Sequence, residues 1–348
     1  MSHRVHVVMP AGVRDPQRPS GGNAYDVRVC EGLAARGWSV REQEVSGAWP
    51  DPCAADLAGL ATLLASVPDG DTVLVDGLVG SAAPKVLAAQ TDRLRLALLM
   101  HMPLGHAREQ QAVEAAHVVV VTSEWTRRWV LEAYRLDSAR LLVAVPGADP
   151  APMTPGSPDG RRLLAVGPVS RGKGHDILMA ALQPCVDLDW RLDCVGSLDV
   201  DPGTAQRLVA WAERSGGRVR MHGPLVGPRL EAAYAAADLL VHPSRAETYG
   251  MVLSEALARG LPVVASDVGG TREALGMADR VVDPALLVPS GDVERLASAL
   301  RVWLTDDAER RRLRRGALDR RADLPSWDDT VVAVHDALRS AAPVGATP

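Results

Sequence analysis

The sequence predicts an α/β chain built from two doubly wound parallel-sheet domains that face each other across a cleft. Three observations carry this expectation. Short apolar runs alternate with amphipathic Ala- and Leu-rich segments along the chain, the pattern of βαβ units. The alternation breaks once, at Pro146-Gly-Ala-Asp-Pro-Ala-Pro-Met-Thr-Pro-Gly-Ser-Pro158, where Pro and Gly are dense enough to read as a linker. A length of 348 residues suits two domains.

In chain order, the first half offers apolar strand runs at 5–9, 40–45, 72–75, 96–100, 118–122 and 141–145. Between them lie amphipathic segments such as 25–36, 56–65 and 125–134. The second half repeats the scheme, with strands at 163–166, 191–195, 219–222, 239–242 and 262–265. Helices fall between these at 175–182, 205–214, 229–237 and 251–259. Residues 327–340 form a last amphipathic helix. The expected boundaries are 1–150, 151–326 and a C-terminal helical segment, 327–348. In open parallel sheets, ligands bind at the carboxyl ends of the strands, so the loops there hold the candidate site.

Composition narrows the function classes. Hydrophobic residues make up 47% and charged residues 23%, ordinary for a soluble globular protein. A net charge of −5 leaves no nucleic-acid footprint. The arginine run 310–315 follows Asp306, Asp307 and Glu309 and reads as a solvated helix face. No apolar stretch is long enough to span a membrane, and the N-terminus runs directly into a strand instead of a signal peptide. The four cysteines are scattered, which fits reduced thiols and a cytoplasmic location. Only Lys85 and Lys173 are lysines among the 38 Lys and Arg residues, so each marks a position where Arg was not used.

The most informative stretch is His242-Pro-Ser-Arg-Ala-Glu-Thr-Tyr-Gly-Met-Val-Leu-Ser-Glu255. A buried strand enters it, a Pro-Ser turn follows, and helical character begins at Met251. Glu247 therefore lies in a strand-to-helix loop and Glu255 on the helix behind it. The helix N-terminus between them, at Gly250 and Met251, offers N–H groups to an anion. Hydroxyls at both ends and a diphosphate between would suit this pattern, and a nucleotide sugar has that form.

Other strand ends add candidates. Gly167-Pro-Val-Ser-Arg171-Gly-Lys173-Gly174 nearly matches a P-loop, but Gly174 replaces the Mg-binding hydroxyl. The pattern favours Arg171 and Lys173 as paired cations for a diphosphate over a plain basic turn. Asp199-Val-Asp201 resembles a metal-holding Asp-x-Asp element, but reads better as a helix-entry turn. Ser20-Gly-Gly22 follows the first strand and permits close backbone approach to a phosphate. His101 ends the run 96–100 and is placed to donate to a ligand hydroxyl, while His106 looks like a helix-start residue. Gly269-Gly-Thr-Arg-Glu273 has the same strand-end location, with Gly269 and Gly270 permitting tight approach and Glu273 as a helix cap.

Taken together, Arg171/Lys173, the 242–256 stretch, Gly260-Leu-Pro-Val-Val-Ala-Ser266 and Gly269-Gly-Thr-Arg-Glu273 resemble glycosyltransferase family 4, retaining nucleotide-sugar-dependent enzymes with the GT-B fold of two Rossmann-like domains. The resemblance covers nearly the whole chain but is specific only in 161–291. It implies that residues 1–150 form the acceptor side, 151–326 the donor side, and that 327–348 packs back on the first domain. It implies that Glu255 binds the ribose hydroxyls, Glu247 the transferred sugar, and Arg171 and Lys173 the diphosphate. Backbone N–H groups around Gly250 and Met251 would hold phosphate oxygens, Gly22 would approach the diphosphate or sugar, and His101 would face the sugar's far side. No metal, cofactor or protein nucleophile is implied, and the acceptor hydroxyl would attack on the front face with retention. Closure of the two domains would complete such a site. Position 249 is Tyr where the family usually has Phe, and Val-Pro-Gly-Ala-Asp149 stands where Pro-Asn-Gly-Val-Asp is commoner.

The expected partners are a UDP- or GDP-linked sugar and a small-molecule, glycan or lipid-linked acceptor, with contact at a membrane surface left open. Two alternatives stand beside transfer. One is a GT-B nucleotide-sugar epimerase or phosphorylase, which a donor assay without acceptor distinguishes. The other is a non-catalytic sugar-nucleotide binding module, which would bind nucleotide tightly without turnover.

Overall fold

The computed structural model describes residues 3–277 and 282–341 and divides into two compact units. The first holds the stretch ending at Arg14, Gly22–Gly147 and the chain from Pro325 through the final helix. The second holds Ala148–Leu324 and also the loop Asp15–Gly21.

In the first unit, six strands form one parallel sheet: β1 (Arg4–Pro10), β2 (Ser39–Val45), β3 (Thr72–Asp76), β4 (Arg95–Met100), β5 (Val118–Val121) and β6 (Leu141–Val143). Their order is β2-β1-β3-β4-β5-β6, so the winding reverses between β1 and β3. Successive residues serve opposite faces. Val5, Val7, Met9, Leu74, Leu99 and Val120 enter one apolar cluster, while Val8, Val73, Val75, Leu98 and Val119 enter another. A parallel sheet covered on both faces needs apolar residues at nearly every position, which is why β3, β4 and β5 appear as continuous runs, whereas the edge strand β2 is polar and partly exposed. The covering helices are α1 (Gly21–Ala35), α2 (Ala54–Ser66), α3 (Gly77–Ala82), α4 (Pro84–Ala88), α5 (Ala107–Ala115) and α6 (Glu124–Tyr134). The first of these begins four residues earlier than the sequence pattern suggests, so Gly21 and Gly22 open the helix instead of preceding it.

The second unit repeats the architecture with β7 (Arg162–Val166), β8 (Arg191–Val195), β9 (Val219–Met221), β10 (Leu239–His242), β11 (Val263–Ser266) and β12 (Ala285–Val288). All pair in parallel in the order β12-β11-β10-β7-β8-β9. Here the winding reverses between β7 and β10. The helices are α7 (His175–Leu182), α8 (Pro202–Arg214), α9 (Pro228–Ala235), α10 (Met251–Ala258), α11 (Thr271–Leu275), α12 (Val293–Thr305) and α13 (Asp307–Arg321). Leu178, Leu182, Leu208, Leu296, Leu300 and Trp303 pack with Leu163, Leu192, Leu239 and Val264 in its core. The arginine run lies on α13, where Arg312 pairs with Glu309 at 2.7 Å and Arg314 reaches the Pro155 carbonyl at 2.9 Å.

The last helix, α14 (Trp327–Ser340), starts at a Ser326–Asp329 capping box. Its Val331, Val334 and Leu338 complete the first unit's core beside Val5, Val7 and Leu74, and Thr330 Oγ1 donates to the Val145 carbonyl at 2.6 Å. The part of the predicted C-terminal segment beyond residue 341 lies outside the described residues. Among those described, no helix is long and apolar enough to cross a membrane.

Candidate functional site

In the second unit, the loops after β7 and β10 meet at the point where the winding reverses, the place where open parallel sheets bind ligands. They are knitted together by backbone. Arg245 N donates to the Gly172 carbonyl at 2.8 Å, and the Arg245 guanidinium grips Asp176 at 2.7 and 2.8 Å. Gly174 lies in the left-handed region (φ 72°), and a Cβ there would stand 1.9 Å from the Pro243 carbonyl oxygen. The serine or threonine of a P-loop would therefore clash at position 174 in this backbone.

The knit places Lys173 beside Glu247. Lys173 Nζ donates to Glu247 Oε2 at 2.7 Å, and His242 Nε2, at the end of β10, approaches the same oxygen at 2.8 Å. His242 is buried and Glu247 nearly so, whereas the Lys173 side chain is 30% exposed and can meet a ligand. Burial pushes the Glu247 carboxyl up, but the His242 hydrogen bond and the Lys173 ammonium outweigh it and hold the group at about 2. It is therefore a fixed carboxylate, unsuited to proton donation near neutral pH. Burial lowers neighbouring His175 to about 4, which keeps that ring neutral.

Gly269 and Gly270 were expected to permit approach to a ligand. Instead they approach the Glu247 loop itself: a Cβ at Gly269 would lie 1.7 Å from the Glu247 carbonyl oxygen, to which Gly270 N donates at 3.0 Å. They fix the carboxylate's backbone. Gly250, also left-handed (φ 96°), precedes α10 without a side-chain cap, so the N–H groups at Met251 are presented from a bare helix end.

Glu255 lies one turn further along α10 and has a separate partner. Tyr234 on α9 donates its hydroxyl to Glu255 Oε2 at 2.7 Å. Burial raises the Glu255 carboxyl; the Tyr234 hydrogen bond and Arg259 work against that rise, and Glu231 and Asp149 add to it. Arg171 is exposed, and its backbone N–H donates to Asp201 Oδ2 at 3.2 Å. Asp201 is the N-cap of α8, accepting from Thr204 N at 2.9 Å, and Asp199 N is bonded to Ser197 Oγ at 3.1 Å. The Asp-x-Asp element thus acts as a turn and cap.

The first unit gathers its candidates at its own reversal point. His101, at the end of β4, directs Nε2 to Asp26 Oδ1 of α1 at 2.8 Å and lies 3.5 Å from Asp76 Oδ2 at the end of β3. Gly22 packs against the same ring: a Cβ there would lie 3.3 Å from it. Burial lowers His101, but the two carboxylates prevail and its affinity for a proton is raised. Burial and the charge of Asp26 push Asp76 up to about 7. The loop after His101 is held by buried Glu109, which accepts from Leu104 N at 2.8 Å, Gly105 N at 3.0 Å and Ser81 Oγ at 3.0 Å. His106 caps α5 through its ring nitrogen.

The structure therefore joins Lys173 with Glu247 and Gly22 with His101, and sets Gly250 and Met251 at the helix end behind Glu247. Four residues with direct contacts to these groups were not singled out from sequence: His242, Tyr234, Asp26 and Asp76. His242 carried a signal, since it begins the motif and ends a buried strand. The other three lie far along the chain from the residues they support.

A family profile described as glycosyl transferases group 1 matches residues 160–306, the stretch that carries the Lys173–Glu247 cluster. The chain is 34% identical over 260 residues to D-inositol 3-phosphate glycosyltransferase 1 of Catenulispora acidiphila, a match covering 69% of this chain and 61% of the relative. It is 32% identical over 256 residues to D-inositol 3-phosphate glycosyltransferase of Xylanimonas cellulosilytica, covering 67% and 59%. The chain thus spans about six-tenths of the length of these curated relatives. Among solved structures, sucrose-phosphate synthase from Thermosynechococcus elongatus superposes with a TM-score of 0.77 at 21% identity, covering 97% of this chain and 98% of the other. Anabaena HepE in complex with UDP-glucose superposes with a TM-score of 0.74 at 17% identity, covering 97% and 99%.

Proposed function

By its group 1 domain and its GT-B fold the chain belongs among the family 4-like glycosyltransferases, and from that premise we propose that it moves a sugar from a nucleoside diphosphate sugar to an acceptor hydroxyl. The observation that carries the reading is the Lys173–Glu247–His242 cluster at the reversal point of the second sheet. A cation reaches out from it and a fixed carboxylate stands beside it, next to a bare helix N-terminus. In this reading Lys173, Arg171 and the N–H groups at Gly250 and Met251 neutralise the diphosphate. Glu247 accepts from hydroxyls of the transferred sugar, and Glu255 from those of the ribose. The HepE structure, of the same fold and solved with UDP-glucose, supports a nucleotide-sugar donor.

The proposed step is a front-face substitution. The acceptor oxygen bonds to the anomeric carbon as the bond from that carbon to the diphosphate oxygen breaks. The acceptor's proton passes to the departing phosphate oxygen, and configuration is retained. Negative charge grows on the diphosphate, so fixed cations and a helix end stabilise the transition state more than the ground state. Glu247, held at about 2, stays an acceptor throughout and is neither acid nor nucleophile. His101, whose proton affinity is raised by Asp26 and Asp76, is suited to donating to a sugar hydroxyl. The reading requires no metal.

The test is transfer by the 348-residue chain from UDP- and GDP-sugars to a panel of polyol and glycan acceptors, inositol phosphate included. Glu247→Ala should abolish transfer while keeping nucleotide affinity within a few-fold of wild type. Normal turnover in that variant would overturn the site assignment. Isomerised donor without acceptor would favour an epimerase.

A further inference from the structure

We propose that Tyr234 is the positioning residue for ribose recognition: it clamps one oxygen of Glu255 so that the other is presented to the vicinal hydroxyls of a ribonucleotide. The inference rests on the reading of Glu255 as the ribose-binding carboxylate. Tyr234 is wholly buried, with its hydroxyl 2.7 Å from Glu255 Oε2. A buried phenol needs a hydrogen-bond partner, and here that partner is the candidate ligand-binding group.

The surroundings explain why a neutral donor is used. Arg259 stacks over the Tyr234 ring, with its guanidinium carbon 4.4 Å from the centroid. Its Nη1 donates to the Glu255 backbone carbonyl at 2.6 Å, and its Nη2 pairs with Glu231. Both ends of the guanidinium are thus committed away from the Glu255 carboxylate. A glutamate loses rotamer freedom when a ligand fixes it. Tyr234 removes that loss in advance, because it holds Oε2 before the ligand arrives and leaves Oε1 for the ribose. The phenol hydroxyl also works against the rise that burial imposes on the Glu255 carboxyl.

The test compares UDP with 2′-deoxy-UDP, and GDP with 2′-deoxy-GDP, by calorimetry on the 348-residue chain. Wild type should prefer the ribonucleotide by about tenfold, the worth of one hydrogen bond to a charged group. Tyr234→Phe should weaken ribonucleotide binding by a similar factor, leave the deoxynucleotide within about twofold, and so collapse the preference toward one. A residue with only a structural role would weaken both ligands alike. An unchanged preference in Tyr234→Phe overturns this inference while leaving the donor-site reading intact. Absence of any nucleotide binding by folded wild type overturns both. A second measurement reads the clamp in protein that keeps Tyr234. The chain has four tyrosines, so 3-fluorotyrosine labelling gives a simple ¹⁹F spectrum. The Tyr234 resonance, assigned by substituting the other three, should move with UDP or GDP and much less with the deoxy forms. A resonance that responds equally to both, or to neither, overturns the clamp.

Discussion

Glu247→Gln isolates the charge of the central carboxylate, since glutamine keeps the shape and one acceptor oxygen. Its cost follows from the environment. The carboxyl is buried and is brought from an ordinary 4.5 down to about 2. At about 1.4 kcal/mol per factor of ten in proton affinity, the folded state holds this charge better than the unfolded state by about 3 kcal/mol. Because the folded value is the lower one, the contribution is complete above 4.5 and is lost as pH falls toward 2. Urea unfolding should therefore separate wild type from Glu247→Gln by about 3 kcal/mol near neutral pH, and by roughly half that at about pH 3.5. For a unit of this size, the neutral-pH difference corresponds to a melting shift on the order of 10 °C. Equal midpoints at neutral pH, or a gap that does not narrow on acidification, would refute the reasoning that Lys173 and His242 share this carboxylate in solution.

Two further outcomes follow from the same geometry. Gly174→Ser restores the residue type a P-loop requires, but its Cβ would meet the Pro243 carbonyl oxygen at 1.9 Å in a left-handed backbone. Thermal melts should show destabilisation of about 2 kcal/mol or more, and nucleotide binding should weaken without any gain of ATP hydrolysis; a stable, ATP-hydrolysing variant would contradict this. Asp201→Ala removes the cap of α8 and should lower the melting temperature slightly while sparing transfer, which should also persist in EDTA. Activity lost in chelator and restored by a divalent cation would contradict the metal-free reading, and the Asp26, Asp76 and His101 cluster, whose ligand atoms lie within 4.8 Å of one another, would be the candidate site.

The sheets were legible because their central strands are buried on both faces, so Val118–Val121 or Leu239–His242 stands out as an unbroken apolar run. The strand Ala285–Val288 escaped notice because four apolar residues beside prolines resemble a loop. Glu247, Lys173 and Glu255 were legible from local motifs at strand ends. Their supports were not, because contact between Tyr234 and Glu255, or between Asp26, Asp76 and His101, exists only once separate strands and helices are laid side by side. The Gly269-Gly270 pair shows the limit most plainly. Adjacent glycines announce close approach, but only the fold reveals that the approaching group is the Glu247 backbone. The helix start at Gly21 was hidden for a related reason: glycine lowers helix propensity, and packing overrides it.

Lys173, held beside Glu247, is the proposed cation for the diphosphate of a nucleotide sugar. Calorimetric titration of wild type and Lys173→Ala with UDP, GDP and their sugars tests this role most directly. One nucleotide series should bind wild type, and Lys173→Ala should bind it about 10- to 100-fold more weakly, as expected for loss of a charge-assisted contact to phosphate. Equal affinity in the two proteins, or no nucleotide binding by wild type, would contradict the account.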